Sequence, residues 1–310
     1  MKIVICGATG FIGQNLLNYF DNGDNEIIAV FNKRRPLKSH SERVIWFKAD
    51  LRMPGSLKKI IKNTDLFLQF AATTSGSKDI IQRPYIHVTD NAVINSYLLR
   101  ECFENNVRHF IFPSCTVMLQ SKENQKEEEF DENLETYKSY FGVANTKVYI
   151  EKMCKFYSDL GMKTTVIRHT NVYGPNDKFD LEKSHVLGAT LRKVKTANDG
   201  DILDVWGSGK ARRDFLYIDD LADFINKAYL HQKDRFELFN CGMGSSISIN
   251  ELVKLVIMIS KKKITFRNDM SKPDIETALS LNCDKAFDLI GWKNNTSLVD
   301  GITKTYSTLR

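Results

Sequence analysis

Apolar and polar positions follow two rhythms along this chain. Short apolar runs fall at Lys2–Cys6, Ile27–Phe31, Val44–Phe47, Leu66–Phe70, His109–Pro113 and Thr164–Arg168, the length and composition of buried strands. Between them lie amphipathic stretches that predict helices over Phe11–Phe20, Ser56–Ile61, Asn91–Asn105 and Phe141–Leu160. Strand and helix in alternation imply β-α-β units and an α/β fold, a doubly wound parallel sheet covered on both faces. After about Gly174 the alternation gives way to shorter elements, loops and basic residues. The pattern therefore divides the chain into a sheet domain over residues 1–173 and a smaller mixed α/β lobe over 174–310, with some crossover between them. The lobe covers the mouth of the sheet. The charged segment Lys122–Glu135 reads as a solvated loop.

Composition changes this picture little but excludes several classes. A chain of 310 residues with 42% hydrophobic and 26% charged residues is an ordinary globular protein, large enough for one big domain or two unequal ones. The net charge of +6 is dispersed, and the densest basic run, Lys33-Arg34-Arg35, is short. That suits a small anionic ligand and argues against nucleic acid. No segment approaches the ~18 apolar residues of a membrane span, and the chain runs straight into a strand rather than a signal-peptide core. The cysteines (6, 102, 115, 154, 241 and 283) form no C-x-x-C pair or dense framework, so reduced thiols in a cytoplasmic protein without a metal site are expected.

The first strand leads into Gly7-Ala8-Thr9-Gly10-Phe11-Ile12-Gly13 and then a helix. Glycines at these positions allow a tight turn, close approach of a pyrophosphate and helix–strand packing, while the helix N-terminus faces the phosphates. This is a Rossmann-type dinucleotide site, with Gly7, Thr9, Gly10, Phe11, Ile12 and Gly13 as its contacts. The end of the second strand distinguishes NAD from NADP through an acidic or a basic residue. Here stand Asn32 and Lys33, followed by Arg34 and Arg35, with no carboxylate. Asp50-Leu51 is placed to meet the adenine, and Ala71-Ala72-Thr73 to line the cofactor path.

The pattern Gly-x-x-Gly-x-x-Gly, Ala71-Ala72, Asn91 and Asn171-Val172-Tyr173-Gly174-Pro175 together resemble the extended short-chain dehydrogenase/reductases, the nucleotide-sugar epimerases and dehydratases. The resemblance runs through Asp284-Lys285-Ala286 to Leu289-Ile290-Gly291-Trp292. The second half most resembles the GDP-L-fucose synthases, through Tyr173–Asp180, Ser184-His185-Val186, Val205-Trp206-Gly207-Ser208-Gly209 and Arg213-Asp214-Phe215. The resemblance implies a GDP-sugar substrate, a role in polysaccharide biosynthesis, and a homodimer or higher oligomer through the helix carrying Lys147, whose Val143, Tyr149, Ile150 and Met153 form an apolar stripe. It also implies that Lys147 and His169 contact the cofactor and that Ser114 and Thr116 bind the sugar. Asn171, His185, Val186, Lys193, Trp206 and Arg213 are implied to hold the nucleotide sugar; cations there suit a diphosphate.

One position breaks the pattern. The family's Tyr-x-x-x-Lys ends here in Lys147, and Val143 stands where the tyrosine belongs. The fucose synthases also carry a cysteine base where this chain has Thr116, and Cys115 next door points to the other face of the strand. Loss of both groups favours simple oxidation or reduction over 3,5-epimerisation. The expected catalytic set is Lys147, Thr116, Ser114 and His185 around Val143, with Tyr140 a less well placed phenol. The preferred reading is oxidation at C4 of a GDP-hexose or GDP-heptose, of the GDP-manno-heptose 4-dehydrogenase type; oxidation normally uses NAD, although the basic run leaves NADP open. The alternatives are a GDP-4-keto-sugar reductase or epimerase, and a nucleotide-sugar-binding protein with little catalysis.

Overall fold

The computed structural model describes residues 1–309 apart from 22, 35, 37–39, 75–82, 182–183 and 273–276; Arg35 of the basic run lies outside the described residues. Strands β1 (Lys2–Cys6), β2 (Glu26–Phe31), β3 (Val44–Lys48), β4 (Leu66–Gln69), β5 (His109–Pro113) and β6 (Lys163–His169) form a parallel sheet. After β7 (Asn171–Tyr173), β8 (Ile202–Trp206), β9 (Arg212–Arg213) and β10 (Phe215–Tyr217), strand β11 (Phe236–Cys241) returns to the sheet beside β6. The order is β11-β6-β5-β4-β1-β2-β3, reversing direction at β1, where ligands of such sheets bind beyond the strand ends.

The continuous apolar runs arise because both sheet faces are covered. On β1, Ile3 and Ile5 join one buried cluster and Val4 and Cys6 the other, as the two-residue period requires. The first cluster packs against α1 (Phe11–Phe20) through Leu16 and Leu17. The second packs against α2 (Tyr85–Glu104) and α3 (Phe141–Asp159) through Ile94, Leu98, Ile150 and Cys154. Each large side chain buried this way stabilises the fold by about 1.5–3 kcal/mol.

Four expectations are corrected. No helix forms over 56–61: Ile60 and Ile61 both donate to the Leu57 carbonyl in one isolated turn. The Gly55 and Leu57 amides instead donate to the Glu101 carboxylate, and so short a segment does not repay helix nucleation. Helix α2 begins at Tyr85 rather than Asn91, because Pro84 has a backbone (φ −60°) already suited to the first turn. Segment 122–135 is anchored rather than merely solvated: Gln125 is buried, bridges Leu281 and bonds Ser280, and Glu127 accepts from the Asn240 amide. Finally, Ile150 is 0% exposed, so it serves the intrachain core and not an intersubunit stripe.

Among the described residues the remaining α-helices are α4 (Val186–Thr196), α5 (Ile218–His231), α6 (Ile249–Ser260), α7 (Asp284–Ile290) and α8 (Leu298–Thr308). Further strands β12 (Ile247–Ser248), β13 (Thr265–Asp269) and β14 (Ala278–Leu279) make small sheets with β9 and β8. Among the described residues no helix is long and apolar enough to cross a membrane.

Candidate active site

The loop after β1 is built of backbone. Gly7 sits at φ +74°, and a Cβ there would lie 2.6 Å from the Phe70 carbonyl oxygen. A Cβ on Gly13 would come within 2.1 Å of the Gly7 oxygen. The Gly10 amide closes the turn onto Gly7 at 2.8 Å, and Gly10 caps α1 without a side-chain bond. Thr9, Phe11 and Ile12 complete this surface. First-turn N–H groups are thus left for an anion, and the cradle fits a dinucleotide pyrophosphate.

Around it, Asn32 is half-buried and Lys33 exposed at the end of β2, and the neighbouring Arg34 reaches back to donate to the Thr9 carbonyl at 3.3 Å. Asp50 is gripped by Arg52 through two bonds of 2.7 and 3.0 Å; these hold its acid down to about 2. Arg52 also faces Asp90 at 3.6 Å, and Asp90 accepts from the Thr73 hydroxyl at 2.9 Å. Leu51 is buried. Ala71 exchanges bonds with the Gln69 side chain, and Asn91 clamps the Thr73 backbone through both amide atoms. Ala72 lies exposed between them.

The reaction side is built of side chains. Val143, Lys147 and Glu151 follow one another at four-residue spacing on one face of α3. Val143 is half-buried and supplies no polar atom. Lys147 Nζ donates to the Pro113 carbonyl at 2.8 Å and lies 4.6 Å from the Phe112 ring centre; burial lowers its pKa. Ser114 is 0% exposed and donates its hydroxyl to Glu151. Thr116 is half-buried, and its hydroxyl bonds no other described residue. Of the expected pair, Thr116 therefore has the free hydroxyl.

Sequence reasoning missed Glu151 and Arg168. Their side chains form a buried ion pair at 2.7 Å, with Arg168 also donating to the Glu127 carbonyl and lying over the Phe130 ring. The one available signal was the four-residue step from Lys147 to Glu151.

His169 Nδ1 donates to the Thr170 carbonyl at 2.8 Å. Burial, aided by the charges of Lys147 and His185, holds its pKa down to about 4. His185 caps α4 ahead of Val186, and burial followed by the Lys178 charge lowers its pKa. Lys178, another unexpected neighbour, lies 3.4 Å from the Thr74 hydroxyl. Asn171 and Arg213 gather at Asp214. Lys193 and Trp206 instead gather on β8, where Lys193 donates to the Asp204 carbonyl and Trp206 is 61% exposed. Tyr140 sits before α3 against Tyr137, its ring 5.8 Å away.

A glycine cradle at the switch point of a doubly wound sheet, beside a lysine-bearing helix, defines a dinucleotide-dependent oxidoreductase. The chain belongs to the NAD dependent epimerase/dehydratase family, whose model matches residues 3–242, and it is accordingly an NAD(P)-dependent enzyme. It is 28% identical to the GDP-L-colitose synthase of Yersinia pseudotuberculosis over 98% of this chain and 96% of that one. It is likewise 28% identical to the GDP-L-fucose synthase of Sinorhizobium fredii, covering 98% and 94%. Its fold matches a UDP-glucuronic acid 4-epimerase variant from Bacillus cereus with a TM-score of 0.84 and 22% identity, covering 99% and 98%. The UDP-glucose 4-epimerase of Thermotoga maritima matches with a TM-score of 0.81 and 23% identity, again over 99% and 98%.

Proposed function

We propose that this enzyme oxidises C4 of a GDP-sugar, with a manno-configured GDP-heptose as the preferred substrate and NAD as acceptor. The observation that carries the reading is valine at position 143 in a site whose glycine cradle and Lys147 remain. The GDP moiety is supported by the relatives, named as GDP-L-colitose and GDP-L-fucose synthases. Thr116 has no group basic enough to epimerise carbon beside a ketone, which favours a single oxidation.

The nicotinamide, when bound, supplies hydride acceptance. This chain's residues then have two tasks. The Thr116 hydroxyl accepts a hydrogen bond from the C4 hydroxyl and orients it. Lys147, a cation in a water-poor setting, stabilises negative charge developing on that oxygen, and the proton leaves through water occupying the space beside Val143. Asn171 and Arg213, with Lys193 from α4 and Trp206 on β8, hold the nucleotide diphosphate, and His185 contacts the sugar. A missing general acid–base costs about 10²–10⁴ in rate, about 3–5 kcal/mol of barrier, whereas orientation alone supplies several. Slow turnover is expected.

The test is the near-ultraviolet absorbance of reduced nicotinamide after mixing protein and NAD with a panel of GDP-sugars. A rise with a GDP-manno-heptose supports the reading; no change with any sugar, despite measurable GDP and NAD binding, rejects it. Lys147→Met should abolish the rise, and full turnover in that variant would remove the role given to Lys147. We further propose a homo-oligomer through the exposed side of α3, where Phe141, Tyr149 and Phe156 are 65%, 40% and 51% exposed.

A further inference from the structure

The carboxyl edge of the sheet meets the C-terminal half at one buried carboxylate. Asp214, between β9 and β10, is 0% exposed. Its oxygens accept from the Thr170 hydroxyl at 3.1 Å and from the amides of Met243, Gly244 and Leu281 at 2.8, 3.1 and 3.4 Å. Its backbone carbonyl accepts both the amide and the side-chain nitrogen of Asn171, at 3.2 and 3.0 Å. Every one of these donors is neutral. The titratable neighbours are the thiols of Cys241 and Cys283, both pushed up by burial. The adjacent Arg213 turns to the carbonyls of Arg212 and Thr277, each at 2.8 Å.

A buried carboxylate without a cation is costly, and burial accordingly raises this acid to about 6. What offsets the cost is the number of segments one anion gathers: the exit of β6, the exit of β11, and the segment after β14. Gly242 shows how closely they close on it, because a Cβ there would lie 2.7 Å from Asp214 Oδ2 and 2.8 Å from Thr170 Cγ2. Asn171 and Arg213 are carried on the gathered backbone, one bonded to Asp214 and the other preceding it.

We propose that Asp214 is a positioning residue for the nucleotide diphosphate, holding Asn171 and Arg213 in the register in which they grip it. This rests on the GDP-sugar reading above. Asp214 touches no ligand; it acts through the two residues that do. Its loss should weaken the nucleotide and spare the dinucleotide, whose cradle is built on the loop after β1 and shares none of the segments that Asp214 gathers.

Calorimetric titration of the full-length protein with GDP, and separately with NAD, tests this. Asp214→Asn replaces one accepting oxygen with an N–H₂ that faces amide donors. It should weaken GDP at least tenfold and leave NAD within twofold. Should that variant not fold, Gly242→Ala displaces the carboxylate without removing it and should show the same selective loss. Unchanged GDP affinity in the folded variant, or GDP and NAD affinities falling together, would overturn the proposal, the latter by showing a general structural role. A wild-type protein that binds NAD but not GDP refutes the GDP reading itself, and the positioning role with it, before any variant is made.

Discussion

The glycine cradle and the reaction side of this site are made of different material. Around Gly7 and Gly13 the site is main chain, and a Cβ at either glycine would strike a backbone atom within 2.6 or 2.1 Å. Around Lys147 the site is side chains on a helix whose backbone holds whatever residue occupies position 143. The first region cannot change without unmaking the turn that also packs α1 on the sheet. The second can exchange a phenol for valine at no cost to the fold. A family can therefore keep its cofactor while revising its chemistry, and this chain keeps the glycine cradle with valine at position 143.

That contrast is breakable at several points. The sharpest challenge is Glu151, a side chain in the replaceable region that is nevertheless buried against Arg168. Glu151→Ala leaves an unpaired buried guanidinium and should cost about 3–5 kcal/mol, read from urea unfolding. A loss below 1 kcal/mol would mean that even this pair is exchangeable. Gly13→Ala should weaken NAD at least a hundredfold, about 3 kcal/mol, in a binding titration; near-native affinity would show that the cradle tolerates what its geometry forbids. Val143→Tyr returns the phenol to a site otherwise prepared for it, and turnover should rise about tenfold, about 1.4 kcal/mol of barrier. No gain would mean the site has been rebuilt around water.

The smallest effect concerns His109 under the reaction side. Burial holds its pKa down to about 3 from 6.5, so the folded state keeps it neutral while the unfolded chain takes a proton below 6.5. Its contribution is present above pH 6.5 and is lost as pH falls through 6.5 toward 3. Between pH 7 and 5.5 the protein should lose about 1 kcal/mol relative to its His109→Gln variant, measured by urea midpoints at each pH. Parallel pH profiles would show that the histidine is not held neutral.

Much of the first half was legible because its signals are local. Strands β1 and β5 and helix α1 have the bounds that apolar runs and glycine placement predict. The 56–61 segment misled because its periodicity is helical but the stretch is too short to repay helix nucleation, and what holds it is Glu101, far along the chain, which accepts from the Gly55 and Leu57 amides. On the reaction side, motif spacing located Lys147, Thr116 and the empty place at Val143. It did not reveal that Ser114 is occupied by Glu151, since that bond spans a strand and a helix. Asp214 lay inside a recognised string without any sign of what it gathers.

By itself the sequence determined the doubly wound sheet, the glycine cradle and the missing phenol, because each depends on residues close together along the chain and on backbone conformations that few side chains permit. Only the tertiary structure decided which hydroxyl remains free, where β11 joins the sheet, and which buried carboxylate ties the segments after β11 and β14 to the exit of β6. Those outcomes depend on burial, which removes water as a competing partner and forces each polar group to choose one neighbour from distant parts of the chain.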